Sequence, residues 1–546
     1  MAIVRKHRSI KFLVSDAIRK NSIKSQYQLR KNYKEGRFVE QDLEQSNSFL
    51  DMIDKNFGTT SLRLKSIRLI NFRGFKDISI DLSTEYVVIA ANNGYGKTGV
   101  LESIYNCLTW LIRNFKANGS NGIFLKEDDV RAFEGVDSAS VILDVCLMQG
   151  DLENSIFSIN LSKANDDAES KQDGFYQEFK SLAEMYRELV PRGYDIPVLA
   201  FYSIERGSAI KKSEFRKNAD ELLKEFNSNE YHLNIANTPR FEMFLAWMLT
   251  EVTSNALNNK EKDVNSLLDM TLKTLKSLKK IDSTDPSIKD VITSLENDAS
   301  EYLKKSRSKK IKSSTKKIDM IFSAIYIFMP EVSELKFEYN SLRKSVDLTC
   351  EKYGCRISVS QLSQGEKTML SLVCDIALRL ISANSNSDNP FSGSGIVIID
   401  EIDLHLHPIW QQTILLRLRD TFPNIQFIIS THSSNVLSTS DSECIRKIAG
   451  TEDKESGIYD IEVPLFSLGA DTSTVQEEIQ GVSSRPLGLE IIKKLNMYKK
   501  LVSDDKWDTE EAEKLFAELC IWGEGHDAVI NKLRLDVTLR KRRRQK

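Results

Sequence analysis

Apolar residues recur along this chain at two spacings, and the switches between them outline its elements. Within "SLRLKSIRLINFRGFKDISIDL", Leu62 and Leu64, then Ile67 and Leu69, then Ile78, Ile80 and Leu82 alternate at period two. That is the period of strands with one covered face, and it predicts a hairpin or meander. The unbroken run "EYVVIAA" predicts a buried strand. After a glycine loop, "TGVLESIYNCLTWLIRNF" has the spacing of a helix with one apolar face. "SASVILDVCLM" and "SIFSINLS" alternate again, and "IPVLAFYSI", "GIVIIDE" and "IQFIISTHS" read as further buried strands. "ELKFEY" is also a strand, and "QLSQGEKTMLSLVCDIALRL" reads as a turn into a long helix. The chain up to about Gly58 is helical and polar, with a break at Gly36. From about Lys211 to Met329 it is helical and lysine-rich, with Leu267, Leu268, Leu272, Leu275 and Leu278 at helical spacing. The pattern predicts an α/β protein in five regions. These are a helical N-terminal extension (1–60), an α/β lobe (61–210), a helical basic insertion (211–330), a second α/β lobe (331–450) and a helical C-terminal region (451–546).

Composition adds boundaries. The chain has 546 residues, too many for one compact core. Its net charge of −2 predicts no partner, so any attraction for nucleic acid has to come from local patches. The seven cysteines are dispersed, and only Cys350 and Cys355 lie close, which reads as reduced thiols in a cytosol. The opening "MAIVRKHRSIKFLVSDAIRKN" carries charges where a signal peptide needs an apolar core. No run approaches the roughly 20 apolar residues of a membrane helix. The expectation is a soluble, cytoplasmic protein without membrane contact.

The chemistry begins at "AANNGYGKTGV", Ala90 to Val100. Strand, glycine loop and helix in that order are the setting of a phosphate-binding loop, G-x-x-x-x-G-K-[ST], although the first glycine position holds Ala91. Asn93, Gly94, Gly96, Lys97, Thr98 and Gly99 supply the cradle, and the Thr98 hydroxyl suits Mg²⁺. Downstream, "GIVIIDE" delivers Asp400 and Glu401 from a buried strand, the Walker B arrangement: Asp400 for Mg²⁺, Glu401 to polarise the attacking water. Acids also end strands for no reason but solvation. "ISTHSS" puts His432 at the end of the next buried strand, where it can contact a γ-phosphate; a lone histidine is more often structural. "LSQGE", Leu362 to Glu366, resembles the ABC signature, usually written LSGGQ. Ser363 adds a hydroxyl and Gly365 permits close backbone approach at a helix N-terminus, an anion site. In this arrangement the signature binds the γ-phosphate of ATP held by another copy. One loop and one signature per chain therefore imply a head-to-tail C2 dimer with two composite sites.

Here the sequence resembles a known group. "LKSIRLINFRGFKDISIDL" followed by "AANNGYGKTGVLESI" looks like the opening of RecF, SMC and Rad50-type ATPases, and "DEIDLHLHP" resembles the Walker B and D-loop of the overcoming-lysogenization-defect proteins. The likeness covers residues 61–210 and 331–445. The helical extension, the mid-sized insertion and "VLAFYSIER" make the chain most similar to Septu antiphage ATPases, PtuA-like and in particular retron-encoded. The resemblance implies an ABC-type P-loop ATPase head that binds ATP and Mg²⁺ and dimerises. It also implies a separate HNH nuclease and, in retron versions, a reverse transcriptase with its multicopy single-stranded DNA. It places Asp403 in the D-loop, acting across the dimer. No HNH pattern occurs in this chain, so a partner would do any cutting. The alternative is a RecF- or SMC-like DNA-repair ATPase that acts on DNA directly.

Several residues keep two readings. Gln149, in "VCLMQGDLE", is either the Q-loop ligand of Mg²⁺ or a hairpin-turn residue. Arg73, in "NFRGF", lies either near the nucleotide or in a salt bridge at a strand end. His405 and His407 have the look of a metal pair on a strand, but the resemblance explains them as D-loop structure. The run Lys304 to Lys317, with eight basic residues and no acid, either contacts nucleic acid or a partner, or is a solvated face. The tail Arg540 to Arg544 has the same ambiguity.

Overall fold

The computed structural model describes residues 2–58, 60–164, 174–204, 231–233, 244, 247–248, 313–340, 345–385, 387–450 and 459–544. The alternating run after Gly58 forms β1 (Thr60–Phe72) and β2 (Phe75–Asp81), an antiparallel hairpin in a four-stranded sheet ordered β2-β1-β4-β5. The other two strands are β4 (Ser138–Gln149) and β5 (Leu152–Ala164). The sequence period slips between Leu64 and Ile67, and there the β1–β4 register shifts at Leu64/Ser66. The extra residue of a bulge lets both halves of β1 keep their apolar side chains inward.

The continuous apolar runs build a second sheet of six strands, ordered β13-β12-β3-β11-β10-β6. They are β3 (Tyr86–Ala91), β6 (Val198–Tyr202), β10 (Gly395–Ile399), β11 (Ile425–Thr431), β12 (Ile445–Gly450) and β13 (Tyr459–Glu462). All pair in parallel except β13, which runs antiparallel to β12. Parallel strands covered on both faces read as unbroken apolar runs, which is how β3, β10 and β11 appear in the sequence. One buried side chain fastens the two sheets together. Gln426 on β11 accepts the Leu64 N–H at 2.7 Å and donates to the Leu82 carbonyl at 2.7 Å and the Thr84 carbonyl at 3.0 Å. A third sheet, β7-β8-β9 (Val332–Asn340, Ser345–Lys352, Cys355–Ser358), precedes the long helix Gln364–Ala383.

The chain divides into two compact units, Met1–Gly469 and Ala470–Lys546. Two expected boundaries change. The helices α1 (Ala2–Arg19), α2 (Ile23–Glu35) and α3 (Leu43–Phe57) belong to the first unit, since Ile23, Tyr27, Leu50, Ile53 and Phe57 share the core of the sheets. The C-terminal boundary at 450 moves to 469, because β13 completes the edge of the six-stranded sheet. Gly36 does end α2, in a left-handed conformation, and Ser22 caps the N-terminus of that helix after a break that the polar spacing hides.

The second unit is helical: Thr472–Glu478, Glu490–Ser503, Glu510–Gly523 and Ala528–Arg544. Leu495, Tyr498, Val502, Trp507, Ala512, Leu519 and Ile530 form its core. Part of the basic tail works inside this unit. Arg540 and Arg544 pair with Asp505, Asp508 and Asp536, and Arg544 lies 4.7 Å from the centre of the Trp507 ring. Most of the insertion 211–330, including 304–312 of the lysine run, lies outside the described residues. Among the described residues no helix is long and apolar enough to cross a membrane.

Candidate active site

Parallel strands deliver their carboxyl ends to one edge, and ligands of open α/β sheets bind outside that edge. Here β3 leads into the loop Asn92–Gly96, β10 into Asp400, β11 into His432 and β6 into Ser203. The loop turns through two left-handed glycines, Gly94 at φ +82° and Gly96 at φ +81°. Gly96 also lacks room for a side chain, since a Cβ there would lie 2.6 Å from the Phe75 ring. Ala91, the departure from the glycine pattern, is still the last residue of β3 and does not have a positive φ. Its carbonyl is the group that faces Lys97, and a carbonyl needs no glycine.

Gly96 caps helix α4 (Lys97–Lys116) without any side-chain hydrogen bond, so the first-turn amides have no internal acceptor from a cap. Asn93 and Gly94 are exposed, Thr98 half-buried, Lys97 and Gly99 buried. Lys97 Nζ donates to the Ala91 carbonyl at 3.0 Å and to Nε2 of His432. Burial pushes the Lys97 ammonium below its ordinary value, against the pull of Glu401, Asp400 and Asp403. Burial, then the Lys97 charge, also holds His432 low, so its imidazole is neutral and accepts from Lys97.

Asp400 is fully buried. Its N–H donates to the Tyr202 carbonyl at 2.8 Å, and Ser430 Oγ donates to its Oδ1. The same Ser430 oxygen accepts the Glu401 N–H at 2.8 Å. Glu401 has φ +49°, a left-handed conformation that costs a residue with a side chain free energy and that often marks a functional position. Asp403 is held by the Thr431 hydroxyl, which in turn accepts the Ser433 N–H at 2.9 Å. Ser430 and Thr431 were not singled out from the sequence. The signal was two hydroxyls ending an otherwise apolar strand, directly before His432.

Ser363 caps the signature helix through a reciprocal capping box. Its N–H and Oγ donate to Glu366 Oε2 at 2.9 and 2.8 Å, and Lys352 on β8 pairs with Glu366. Although burial raises the Glu366 carboxyl, the hydrogen bonds from Lys352 and Ser363 hold it below its ordinary value. Gly365 has a packing reason beside the expected one: a Cβ there would lie 2.6 Å from the His405 carbonyl, so the signature turn is seated directly on the D-loop backbone. His405 and His407 are not on a strand. His405 is exposed with φ +63°, and His407 caps the short helix Pro408–Gln411, its Nδ1 accepting the Ile409 N–H.

Arg73 makes salt bridges, to Asp129 at 2.9 Å and to Glu102 of α4 at 2.6 Å, and its Nη1 lies 3.4 Å from where a Cβ of Gly99 would be. The salt-bridge reading is the one observed, with the guanidinium placed beside the first turn of the loop helix. Gln149 is a correction. It ends β4 opposite Thr60 and Leu152, at the hairpin turn, whereas the other end of β1 carries Phe72, which pairs with the Phe75 that abuts Gly96. The length of β1 puts Gln149 on the order of 30 Å from the loop, so it is no ligand there.

The donor set suits Mg²⁺. Thr98 and Asp400 offer two hard oxygens, and this cation takes its other oxygens from phosphates and water.

A family model described as AAA_15, AAA ATPase domain, matches residues 63–437, and the chain belongs to that family. Two relatives match this chain over nearly their full length. The "Retron Vc95 probable ATPase" of Vibrio cholerae serotype O1 biovar El Tor is 30% identical over 92% of this chain and 96% of that protein. The "Retron Ec83 probable ATPase" of Escherichia coli is 32% identical over 94% of each. A shorter stretch, 14% of this chain and 10% of the relative, is 44% identical to "Septu protein PtuA" of Bacillus mycoides (strain KBAB4).

Proposed function

We propose that this chain is the ATPase of a cytoplasmic antiphage complex, dimerising around ATP and thereby governing a separate HNH nuclease. A reverse transcriptase and its multicopy single-stranded DNA are the further partners expected of a retron system. The observation that carries the reading is the convergence of Lys97, Asp400, Glu401 and His432 at one sheet edge, with the signature on a different helix of the same chain.

The residues divide the work. The loop amides and Lys97 bind the phosphates, and Lys97 exchanges the Ala91 carbonyl and His432 for them. Thr98 and Asp400 would hold Mg²⁺, which when bound offsets charge between the β- and γ-phosphates. Glu401 orients water for attack on the γ-phosphorus and accepts its proton. His432, neutral and released from Lys97, is left to contact the γ-phosphate. Ser363 and Gly365 reach the partner's nucleotide, and Asp403 lies in the D-loop between the two sites.

Glu401→Gln tests the reading. Loss of a general base costs roughly 10²–10⁴-fold, so turnover should fall by that order while ATP stays bound. In light scattering the variant with ATP should run as a dimer and should co-purify with an HNH protein. A variant that hydrolyses ATP at the wild-type rate sinks the assignment of Glu401. Tight, ATP-dependent duplex binding by this chain alone would favour the DNA-repair alternative.

A further inference from the structure

Away from the phosphate loop, an ionised cluster is buried almost completely. Asp375 and Arg379 sit one turn apart on the signature helix at 0% and 1% exposure. Arg379 Nε donates to Asp375 Oδ2 at 2.9 Å, and the Tyr202 hydroxyl donates to the same oxygen at 2.6 Å. Burial, then the Asp375 charge, pushes the Tyr202 hydroxyl well above its ordinary range, so it stays a donor. A buried ion pair adds little net stability compared with apolar residues of equal volume. Displacing one member is costly, because it strips a contact from a buried charge.

Tyr202 has a second attachment. It ends β6, and its carbonyl accepts the Asp400 N–H at 2.8 Å. One residue therefore grips the signature helix with its hydroxyl and the Walker B turn with its backbone. Asp375 lies twelve residues after Ser363, about 18 Å along a stiff helix, so a displacement at one is passed to the other.

We propose that Tyr202 and Asp375 are positioning residues that tie the signature helix to the Walker B edge, so that the state of the site at Asp400 sets how Ser363 is presented to the partner's nucleotide. This rests on the composite-site reading above. Tyr202→Phe removes one hydroxyl and keeps the ring and the Asp375–Arg379 pair. Asp375→Asn is the second variant, since it keeps the shape but weakens the hold on both partners. The full-length chain is assayed for affinity for a fluorescent ATP analogue when dilute, for kcat, KM and Hill coefficient when concentrated, and for Tm. We expect analogue affinity within twofold of wild type, kcat lowered at least tenfold and the Hill coefficient drawn toward one, in both variants. Turnover within twofold of wild type in either folded variant overturns the proposal. So does a loss of analogue affinity as large as the loss of kcat, which would mark general damage. Lys97→Ala, run alongside, separates this from the underlying reading: if it still binds the analogue, the composite site itself is wrong.

Discussion

Two helices of equal length, α4 and Gln364–Ala383, each of 20 residues, begin at glycine-containing turns that the sequence marks as phosphate-binding. They start in opposite ways. Helix α4 has Gly96 as its cap and no side chain on its amides. The signature helix is capped by Ser363, and the Glu366 carboxylate, steadied by Lys352, already occupies its positive end. A helix N-terminus favours negative charge from any source. The first therefore takes its anion from outside, and the second carries its own. On the proposed reading, ATP binding and signature engagement are then separable: a lone protomer would suffice for the first, while the second would draw on a Ser363 hydroxyl that here bonds Glu366.

The contrast can be broken or sharpened by substitution. The largest effect falls on the open end: Lys97→Ala should lower ATP affinity by a factor of at least about 100, read by calorimetry, since a buried charged partner of the phosphates is lost. Ser363→Glu should leave monomer affinity within about twofold, yet abolish the ATP-dependent dimer, because it sets a carboxylate against the partner's phosphate. Equal loss of both would erase the distinction between the two ends. Gly96→Ala should cost about 2–4 kcal/mol of stability, from the positive φ and the contact with Phe75, measured by denaturant unfolding. Lys352→Met should cost about 1–3 kcal/mol by leaving Glu366 short of a donor. Its pH signature has a definite sign. The folded Glu366 carboxyl lies below its unfolded value, so its contribution is complete above the ordinary carboxylate range and is lost as pH falls through the lowered value. The deficit of Lys352→Met relative to wild type should therefore be full above the carboxylate range and shrink as pH falls through it, with a flatter acid titration than wild type.

Much of the site was legible because its parts are local. A strand, two glycines, a lysine and a helix follow one another between Tyr86 and Lys116, and Asp400 and His432 each end an apolar run. What stayed hidden depends on partners distant in sequence. The strand β12, "IRKIAG", gives no continuous apolar run, because Arg446 is buried by pairing with Asp81, a residue on the other sheet. The edge strand β13 has only four residues, partly exposed, and gives no apolar signal. Tyr202 lies in the "VLAFYSIER" segment, but the role of its hydroxyl shows only once the signature helix packs against β6. Gln149 misled because a glutamine between loop and signature satisfies a motif in one dimension, whereas the hairpin carries it to the wrong end of the sheet.

The fit of Phe75 against Gly96 also has a historical side. The ring fills the space that a methyl on residue 96 would need, so the two positions form a lock that sets the order of substitutions. A lineage that first replaced Gly96 would meet a steric barrier at once. Shortening Phe75 first would open a gap beside the phosphate loop and relieve the contact, but the positive φ at residue 96 would still favour glycine. Phosphate loop and antiparallel sheet are in this sense one mechanical unit, since residue 96 and residue 75 share the same space.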